Sequence, residues 1–457
     1  SCAAPAEHSW PTAHPACLGS SGSTPTAGAA NICGAMDLLA DLDARGLVQD
    51  TTDRDALAQR LEQGPITLYY GCDPTADSLH VGNLIGLLVL RRFQDAGHRP
   101  VALAGGATGM VGDPSGRSDE RNLLDEQTLA ANVAAISAQM AAVIDFGEGG
   151  ALLVDNRDWT ARLGLLEFLR DVGKHATVNQ MVAREAVRAR MDSDQGISFT
   201  EFAYSLLQAN DFRWLHDHLD CELQVGGSDQ WGNILAGVDL IRRTRGSSVH
   251  GLSWPLLTAP DGTKLGKTTG ARVWLDPAKT SPYRFFQHWM GVDDRQVGEF
   301  LAKFTLMPLE AVREAAAAHD EAPERREGQR RLAREVTALV HGAAAAAAAE
   351  AASAVLFGSP LDGVDADTLD VLASEVPTSE VDRARLDAGV DLVELLAEAG
   401  VAASRSEARR LLDQGGVSVN NVRVGAGATV GADDLLHGRF VLLRRGKDRH
   451  HLVVSPG

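Results

Sequence analysis

Cysteine is scarce in this chain and never paired by spacing. The five cysteines fall at 2, 17, 33, 72 and 221, an odd set without a C-x-x-C, which argues against a disulfide framework and against a cysteine zinc site. Long apolar runs are missing too: even residues 84–90 are followed at once by Arg91 and Arg92, far short of the roughly 20 residues that cross a bilayer, so no membrane span is predicted. Positive charge is deficient, 43 Lys and Arg against 61 Asp and Glu for a net charge of −18. A uniformly acidic surface repels polyanions, so any RNA partner must meet a local basic patch. Residues 1–35 hold no Lys or Arg and no apolar core of signal-peptide length, so neither a secretory signal nor an Arg-rich transit peptide is supported. Rich in Ala, Ser, Thr, Gly and Pro, they read as a disordered leader ahead of an amphipathic acidic helix that begins at Met36. These absences together describe a soluble globular protein of a reducing cytoplasm.

What is there is a chain of 457 residues, long enough for two to four domains. Its organising stretch is Thr67-Leu-Tyr69-Tyr70-Gly71-Cys72-Asp73-Pro74, followed by His80-Val-Gly82-Asn83 and the apolar run 84–90. Residues 67–72 have the β-branched and aromatic content of a strand, Asp73-Pro74 breaks it, and residues 83–96 read as a helix stopped by Gly97. A turn of this kind sits at the carboxyl end of a parallel sheet, where open α/β folds bind nucleotides and a helix N-terminus offers free N–H groups to phosphate. Taken alone, the same residues also read as a polar βα loop with an incidental His. Further β-type runs at 101–104, 152–155 and 223–226 alternate with helical patterns, which predicts a parallel sheet covered on both faces. The turn after the second run is glycine-rich without being a G-x-G-x-x-G fingerprint. It places Asp113 where a cationic ligand group fits, and it reads equally as an ordinary turn.

Ser198-Phe-Thr-Glu201 has the spacing of a capping box, so a helix is expected to start there. Along it Tyr204, Gln208 and Asp211 share one face, with Phe199, Phe202, Leu206 and Ala209 on roughly the opposite side. A solvated face more often carries Lys, Arg and Glu; a phenol, an amide and a carboxylate in line favour a pocket wall over a plain surface helix. A strand then runs into Gly226-Gly227-Ser-Asp229-Gln230. Lys264-Leu-Gly266-Lys267-Thr268 follows Asp261-Gly262 on a loose loop, where two ammonium groups suit transient capture of phosphate.

Residues 281–357 read as helical. Their Arg326, Arg330 and Arg334 ridge suits either RNA phosphate or ordinary helix pairing such as Glu327 with Arg331. Residues 358–390, acidic and interrupted by Pro and Gly, read as a linker. From residue 400 the charge reverses, with nine Lys and Arg against five Asp and Glu. A helix at 406–414 and strands at 417–419, 440–443 and 451–454 make a small basic α+β module, a candidate RNA-binding domain with Arg405, Arg409, Arg410, Arg444, Arg445 and Lys447 as its cations.

Each motif is weak alone, but the ordered set resembles the bacterial type of tyrosyl-tRNA synthetase, a class I aminoacyl-tRNA synthetase, from about Met36 to the C-terminus. His80-Val-Gly82-Asn83 looks like that family's HIGH motif and Lys264 to Thr268 like its KMSKS motif. The implied fold is α/β: a Rossmann-like parallel-sheet catalytic domain (36–280), an α-helical tRNA-binding domain (281–357), the linker (358–390) and a ribosomal-protein-like RNA-binding domain (391–457). The resemblance implies that Tyr69 and Asp211 bond the phenolic hydroxyl of L-tyrosine, that Asp113, Tyr204 and Gln208 hold its ammonium group, and that Gln230 lies near its carboxylate. It further implies ATP contacts at Gly71, Asp73, His80, Gly82, Asn83, Gly227, Asp229 and Lys267, and charge stabilisation from Lys264, Lys267, Thr268, His80, Asn83, Arg117 and Arg121. Magnesium would arrive on the ATP phosphates with no dedicated protein metal site. A homodimer acting on tRNA(Tyr) is implied in the same way. Three features depart from the generic spelling: Asn83 replaces a second His, Tyr70 stands where a small residue near the ribose is common, and Gly266 and Thr268 replace serines.

Other classes fit less well. An RNA-binding paralogue without catalysis would have let the lysine motif and the tyrosine contacts decay, and here they are intact. A dinucleotide-dependent oxidoreductase needs the glycine fingerprint and an acidic residue after the second strand. Tryptophan specificity is at odds with the hydroxyl-directed pair Tyr69 and Asp211.

Overall fold

The computed structural model describes residues 37–115, 124–192, 196–258, 272–361, 363–446 and 449–456, with backbone alone at Glu185 and Ala186. The expected leader, Arg117, Arg121, Lys264, Lys267, Thr268 and Lys447 lie outside the described residues.

Six strands form the first sheet: β1 (Asp50–Thr51), β2 (Thr67–Cys72), β3 (Arg99–Ala104), β4 (Leu152–Asp155), β5 (Cys221–Gly227) and β6 (His250–Trp254), in the order β1-β6-β5-β2-β3-β4. All neighbours are parallel except the antiparallel β1 and β6 pair. The chain builds β2, β3 and β4 to one side, then returns to place β5 and β6 on the other. The order therefore reverses between β2 and β5, and at such a switch point the connecting loops part into a ligand crevice. Tyr69 sits at this seam, in register with Val101 on one side and Gln224 on the other.

The Val81–Asp95 helix packs against β2 and β3 with Leu84, Leu87, Leu88 and Phe93 fully buried, each such side chain contributing about 1.5–3 kcal/mol. Its end is anchored in the helical region that follows the sheet. Buried Arg92 donates to Thr305 O at 2.5 Å, and Arg45 donates to Ala302 O at 3.2 Å and Met307 O at 2.9 Å. Two guanidinium groups thus meet a carbonyl in the last turn of the Val297–Phe304 helix and those of the segment just past its end. That region runs through the Pro282–Met290, Leu309–Glu321, Glu327–His341 and Ala343–Leu356 helices around an aromatic cluster of Phe285, Trp289, Phe300 and Phe304. Two members of its arginine ridge are engaged, Arg334 pairing with Glu350 and Arg326 donating to Met290 O, and Arg331 beside them pairs with Glu335; Arg330 is exposed.

The segment 358–390, expected as a linker, is folded instead. It holds the Ala366–Glu375 helix, β7 (Thr378–Glu380) and the Arg383–Ala388 helix, with Leu369, Leu372, Val381 and Leu386 buried. Acidic residues on its exposed faces hid this apolar spacing. It joins the C-terminal module, where β8 (Val390–Asp391) pairs with β11 (Thr429–Val430), and β9 (Val417–Val419), β10 (Val422–Arg423), β12 (Phe440–Arg445) and β13 (Arg449–Val454) combine with β7 in the order β10-β9-β12-β13-β7.

Candidate active site

Among the described residues, the turns after β2, β3, β4 and β5 each bring a polar side chain to the crevice at the carboxyl edge of the parallel strands. From β2 comes Asp73, whose two carboxylate oxygens accept from Thr108 Oγ1 (2.8 Å) and Tyr204 Oη (2.9 Å). One carboxylate thus ties the turn after β3 to the long Phe199–Leu219 helix. The resemblance assigned Asp73 to the nucleotide; here it also fixes the phenol of Tyr204. Asp113 is buried, with Oδ1 accepting from Ser115 N (2.9 Å) and Oδ2 from Gln230 Nε2 (2.6 Å), while Asn233 Nδ2 donates to Gln230 Oε1 (3.1 Å). The glycine-rich turns after β3 and β5 are therefore hydrogen-bonded to each other across the switch point.

The Phe199–Leu219 helix starts as expected at Ser198, whose side chain accepts from Glu201 N. The Glu201 carboxylate, expected to complete a capping box, is taken instead by Arg190 at 2.8 Å in an almost fully buried ion pair. Breaking a buried pair of this kind costs about 3–5 kcal/mol, so it pins the helix start more firmly than a cap would. The polar face of the helix turns inward: Tyr204 and Asp211 are buried, while Phe199 is exposed.

Asp211 is the best-supported group in the crevice. Asn156 Nδ2 donates to its Oδ2 (2.9 Å) and Trp159 Nε1 to its Oδ1 (2.8 Å). Asn156 is in turn held by Ala107 N and Thr108 Oγ1, and Trp159 by stacking on Trp214 at 4.2 Å. Burial dominates its acidity and pushes its pKa up to about 7, against the two hydrogen bonds, which favour the charged form. Facing it is Tyr69, whose phenol is driven well above its ordinary pKa by burial and by the charge of Asp211. The Tyr69 hydroxyl and Gln208 Oε1 are buried without a hydrogen-bond partner among the described residues. A buried polar atom left unpaired calls for an explanation, and a ligand hydroxyl or ammonium group supplies one.

At the turn after β2, His80 caps the Val81–Asp95 helix: its Nδ1 accepts from Gly82 N (3.0 Å), and Asn83 Oδ1 accepts from His80 N (3.1 Å). A Cβ on Gly82 would come within 2.8 Å of the His80 ring, so glycine is required for the ring to fold back over the helix end. With Nδ1 accepting, the ring proton sits on Nε2, the nitrogen turned away from the backbone. Asp229 stands exposed after β5 beside Gly227, whose missing Cβ leaves room for its carboxylate.

Asn156, Trp159 and Thr108 were not singled out in the sequence. The signal was the position of Asn156 and Trp159 just past β4, at the same carboxyl edge as the other turns. In the C-terminal module the expected cations divide. Arg445 donates to Glu407 and Val401 O, Arg405 pairs with Glu394, and Arg444 lies against Gly358. Arg409 and Arg410 are exposed, Arg410 only 4.0 Å from Glu407.

Comparison with known proteins bears on the same elements. The family described as tRNA synthetases class I (W and Y) matches residues 61–358, and the tyrosine–tRNA ligase SYY-like C-terminal domain matches residues 368–453. The tyrosine–tRNA ligase of Opitutus terrae is 52% identical over 422 residues, covering 92% of this chain and 99% of that protein. That of Roseiflexus castenholzii is 50% identical over 420 residues, covering 91% and 99%. The crystal structure of a C-terminally truncated mitochondrial tyrosyl-tRNA synthetase from Aspergillus nidulans superposes with a TM-score of 0.63 at 32% identity, over 69% of this chain and 92% of that one.

Proposed function

The chain belongs to the class I tRNA synthetases of the tryptophan and tyrosine type and is a tyrosine–tRNA ligase, and from that premise we propose how its residues divide the reaction. The observation that carries the assignment is the Tyr69 and Asp211 pair: a lone phenol hydroxyl facing a carboxylate that Asn156 and Trp159 hold in place. L-Tyrosine enters with its hydroxyl between them, accepting from Tyr69 and donating to Asp211. Its ammonium group is held by Tyr204, Gln208 and Asp113, and Gln230 lies near its carboxylate.

ATP lies across the Val81–Asp95 helix start, with Gly71, Gly82 and Gly227 admitting it closely, Asp73 at the boundary with tyrosine and Asp229 on the ribose. The tyrosine carboxylate attacks the α-phosphate and pyrophosphate leaves, giving tyrosyl-adenylate; a ribose hydroxyl at the tRNA 3′ end then takes the tyrosyl group. The attacking carboxylate is already ionised, so no general base is needed, and rate comes from in-line placement and from stabilising the charge that builds on pyrophosphate. His80 Nε2–H and the helix N–H groups are donors that fit a triphosphate. Lys264, Lys267, Thr268, Arg117 and Arg121 are proposed to add charge and hydrogen bonds from the loops beside them. Magnesium carried on the phosphates supplies further neutralisation. Arg409 and Arg410 are proposed to meet tRNA phosphates.

The direct test is ATP–pyrophosphate exchange with each of the twenty amino acids: exchange should depend on tyrosine, and well-folded protein inert with tyrosine refutes the scheme. The Asp211 acidity adds a pH signature. Tyrosine donates its hydroxyl to the carboxylate form, so protonation below pH 7 removes the acceptor. Each proton taken up by the empty site must be released on binding, and the KM for tyrosine should rise about tenfold from pH 8 to pH 6. A flat KM over that range contradicts the donor direction.

We also place the enzyme in the cytoplasm as a homodimer. Among the described residues no helix is long and apolar enough to cross a membrane, yet Leu165, Leu166, Leu169, Val178 and Phe199 are exposed between β4 and the Phe199–Leu219 helix. Leu165, Leu166 and Leu169 share the short Leu165–Asp171 helix, an exposed apolar element for a second copy to cover. Sedimentation should give twice the chain mass, and Leu165→Glu with Leu166→Glu should give a monomer; a monomeric wild type refutes the pairing.

A further inference from the structure

Residues 272–280 fold back along the turn that carries His80. Val81 N donates to Val273 O (3.1 Å) and Leu275 N to Leu79 O (2.9 Å), so the segment pairs antiparallel with residues 79–81 and sets Trp274 directly opposite His80. The two hydrogen bonds flank that pair rather than joining it, the arrangement in which facing side chains come closest. Trp274 N also donates to Thr280 Oγ1 (3.0 Å) and Asp276 N to Ser78 Oγ (3.1 Å), which fixes the segment from its far end. Side chains alternate across such a pairing. Leu79 and Leu275 turn into the core, each 3% exposed, and His80, Trp274 and Arg272 are left on the other face.

On that face the His80 and Trp274 rings meet edge-on with centroids 6.4 Å apart, and the Arg272 guanidinium lies 5.2 Å from the centre of the indole. Lys279 reaches the same indole at 5.3 Å, but its ammonium group is paired with Asp77. Arg272 is exposed and has no carboxylate partner among the described residues. A guanidinium resting on an aromatic ring keeps its full charge and its N–H edge, a planar fork that matches phosphate oxygens. The ring limits where that fork can go. An uncompensated cation is thus held on the same face as the imidazole that caps the Val81–Asp95 helix. Its plainer use would be to cover the indole with its aliphatic stem, which affects stability and not rate.

We propose that Arg272 is a further catalytic residue: held on Trp274, its guanidinium contacts the pyrophosphate portion of ATP beside His80. As the tyrosine carboxylate oxygen bonds to the α-phosphorus, the bond to the bridging oxygen breaks and its electron pair leaves on pyrophosphate. Arg272 balances that charge and exchanges no proton, and Trp274 is the positioning residue that holds it. This rests on the assignment of His80 to the triphosphate.

The test uses the full chain in tyrosine-dependent ATP–pyrophosphate exchange, with a thermal melt of each variant. Arg272→Met keeps an aliphatic stem over the indole and removes the charge. It should lower kcat about ten- to hundredfold and raise the KM for inorganic pyrophosphate about tenfold, with the KM for tyrosine within about twofold of wild type and the melting temperature unchanged. Arg272→Lys, a point charge without the fork, should recover part of the rate. Trp274→Leu leaves the cation unguided and should lower kcat about three- to tenfold, again with little change in the KM for tyrosine. Exchange within about twofold of wild type in folded Arg272→Met overturns the role, as does a loss confined to transfer of tyrosine to tRNA, or one that follows a lowered melting temperature and is not relieved by Arg272→Lys. In each of these cases a slowed His80→Ala leaves the assignment of His80 standing. If neither substitution slows exchange in folded protein, both fall.

Discussion

Asp211→Ala should lower the preference for tyrosine over phenylalanine, measured as the ratio of kcat/KM in adenylate formation, by at least about a hundredfold. The carboxylate is buried and its oxygens are held by Asn156 and Trp159, so it offers the substrate hydroxyl an acceptor that need not reorganise. A hydrogen bond to a charged group contributes about 1.5–3 kcal/mol, and phenylalanine leaves both Asp211 and the Tyr69 hydroxyl stranded. A site built to pair a hydroxyl rejects its deoxy analogue by about 10⁴–10⁵, a range for which tyrosine-specific synthetases are themselves the standard example. Alanine removes the acceptor and also the penalty on phenylalanine, so both terms move the ratio the same way. Tyr69→Phe removes an uncharged partner and should cost about tenfold or less. Because alanine leaves Asn156 Nδ2 and Trp159 Nε1 without their acceptor, a thermal melt must accompany the kinetics. An unchanged ratio in folded protein would remove Asp211 from the recognition of the hydroxyl.

Asp211 also shows what a sequence can and cannot reveal about this site. Its place in line with Tyr204 and Gln208 followed from helical spacing, because that is a local regularity. The residues that hold it did not follow: Asn156 and Trp159 lie 55 and 52 positions away and meet it only because β4 ends beside the helix. Strands behaved similarly. Residues 67–72 and 152–155 were legible from β-branched and apolar content, whereas β6, His250-Gly-Leu-Ser-Trp254, is buried throughout yet mixes polar and small residues. Its burial comes from neighbours on both faces, which no pattern within five residues records. Glu201 marked a helix start correctly, but its carboxylate went to Arg190 because a buried guanidinium competes better than a backbone N–H. In segment 358–390 acidic composition concealed the buried anchors Leu369, Leu372 and Leu386.

His80→Ala should slow adenylate formation by about 10²–10³ while leaving the KM for tyrosine within about twofold. Two effects are joined in this side chain and must be separated. As N-cap, Nδ1 accepts from Gly82 N, and losing a cap costs about 1 kcal/mol of stability. In the proposed scheme Nε2–H is the donor for the charge that builds on pyrophosphate, and a donor aimed at developing charge acts on the transition state more than on bound ATP. Asn in place of His provides a short acceptor for Gly82 N but no donor at the reach of Nε2. His80→Asn should therefore recover the melting temperature lost in His80→Ala and recover little of the rate. Recovery of both would make the helix cap the whole contribution of His80. A rise in the KM for ATP with kcat intact would mean that the imidazole binds ground state and transition state alike.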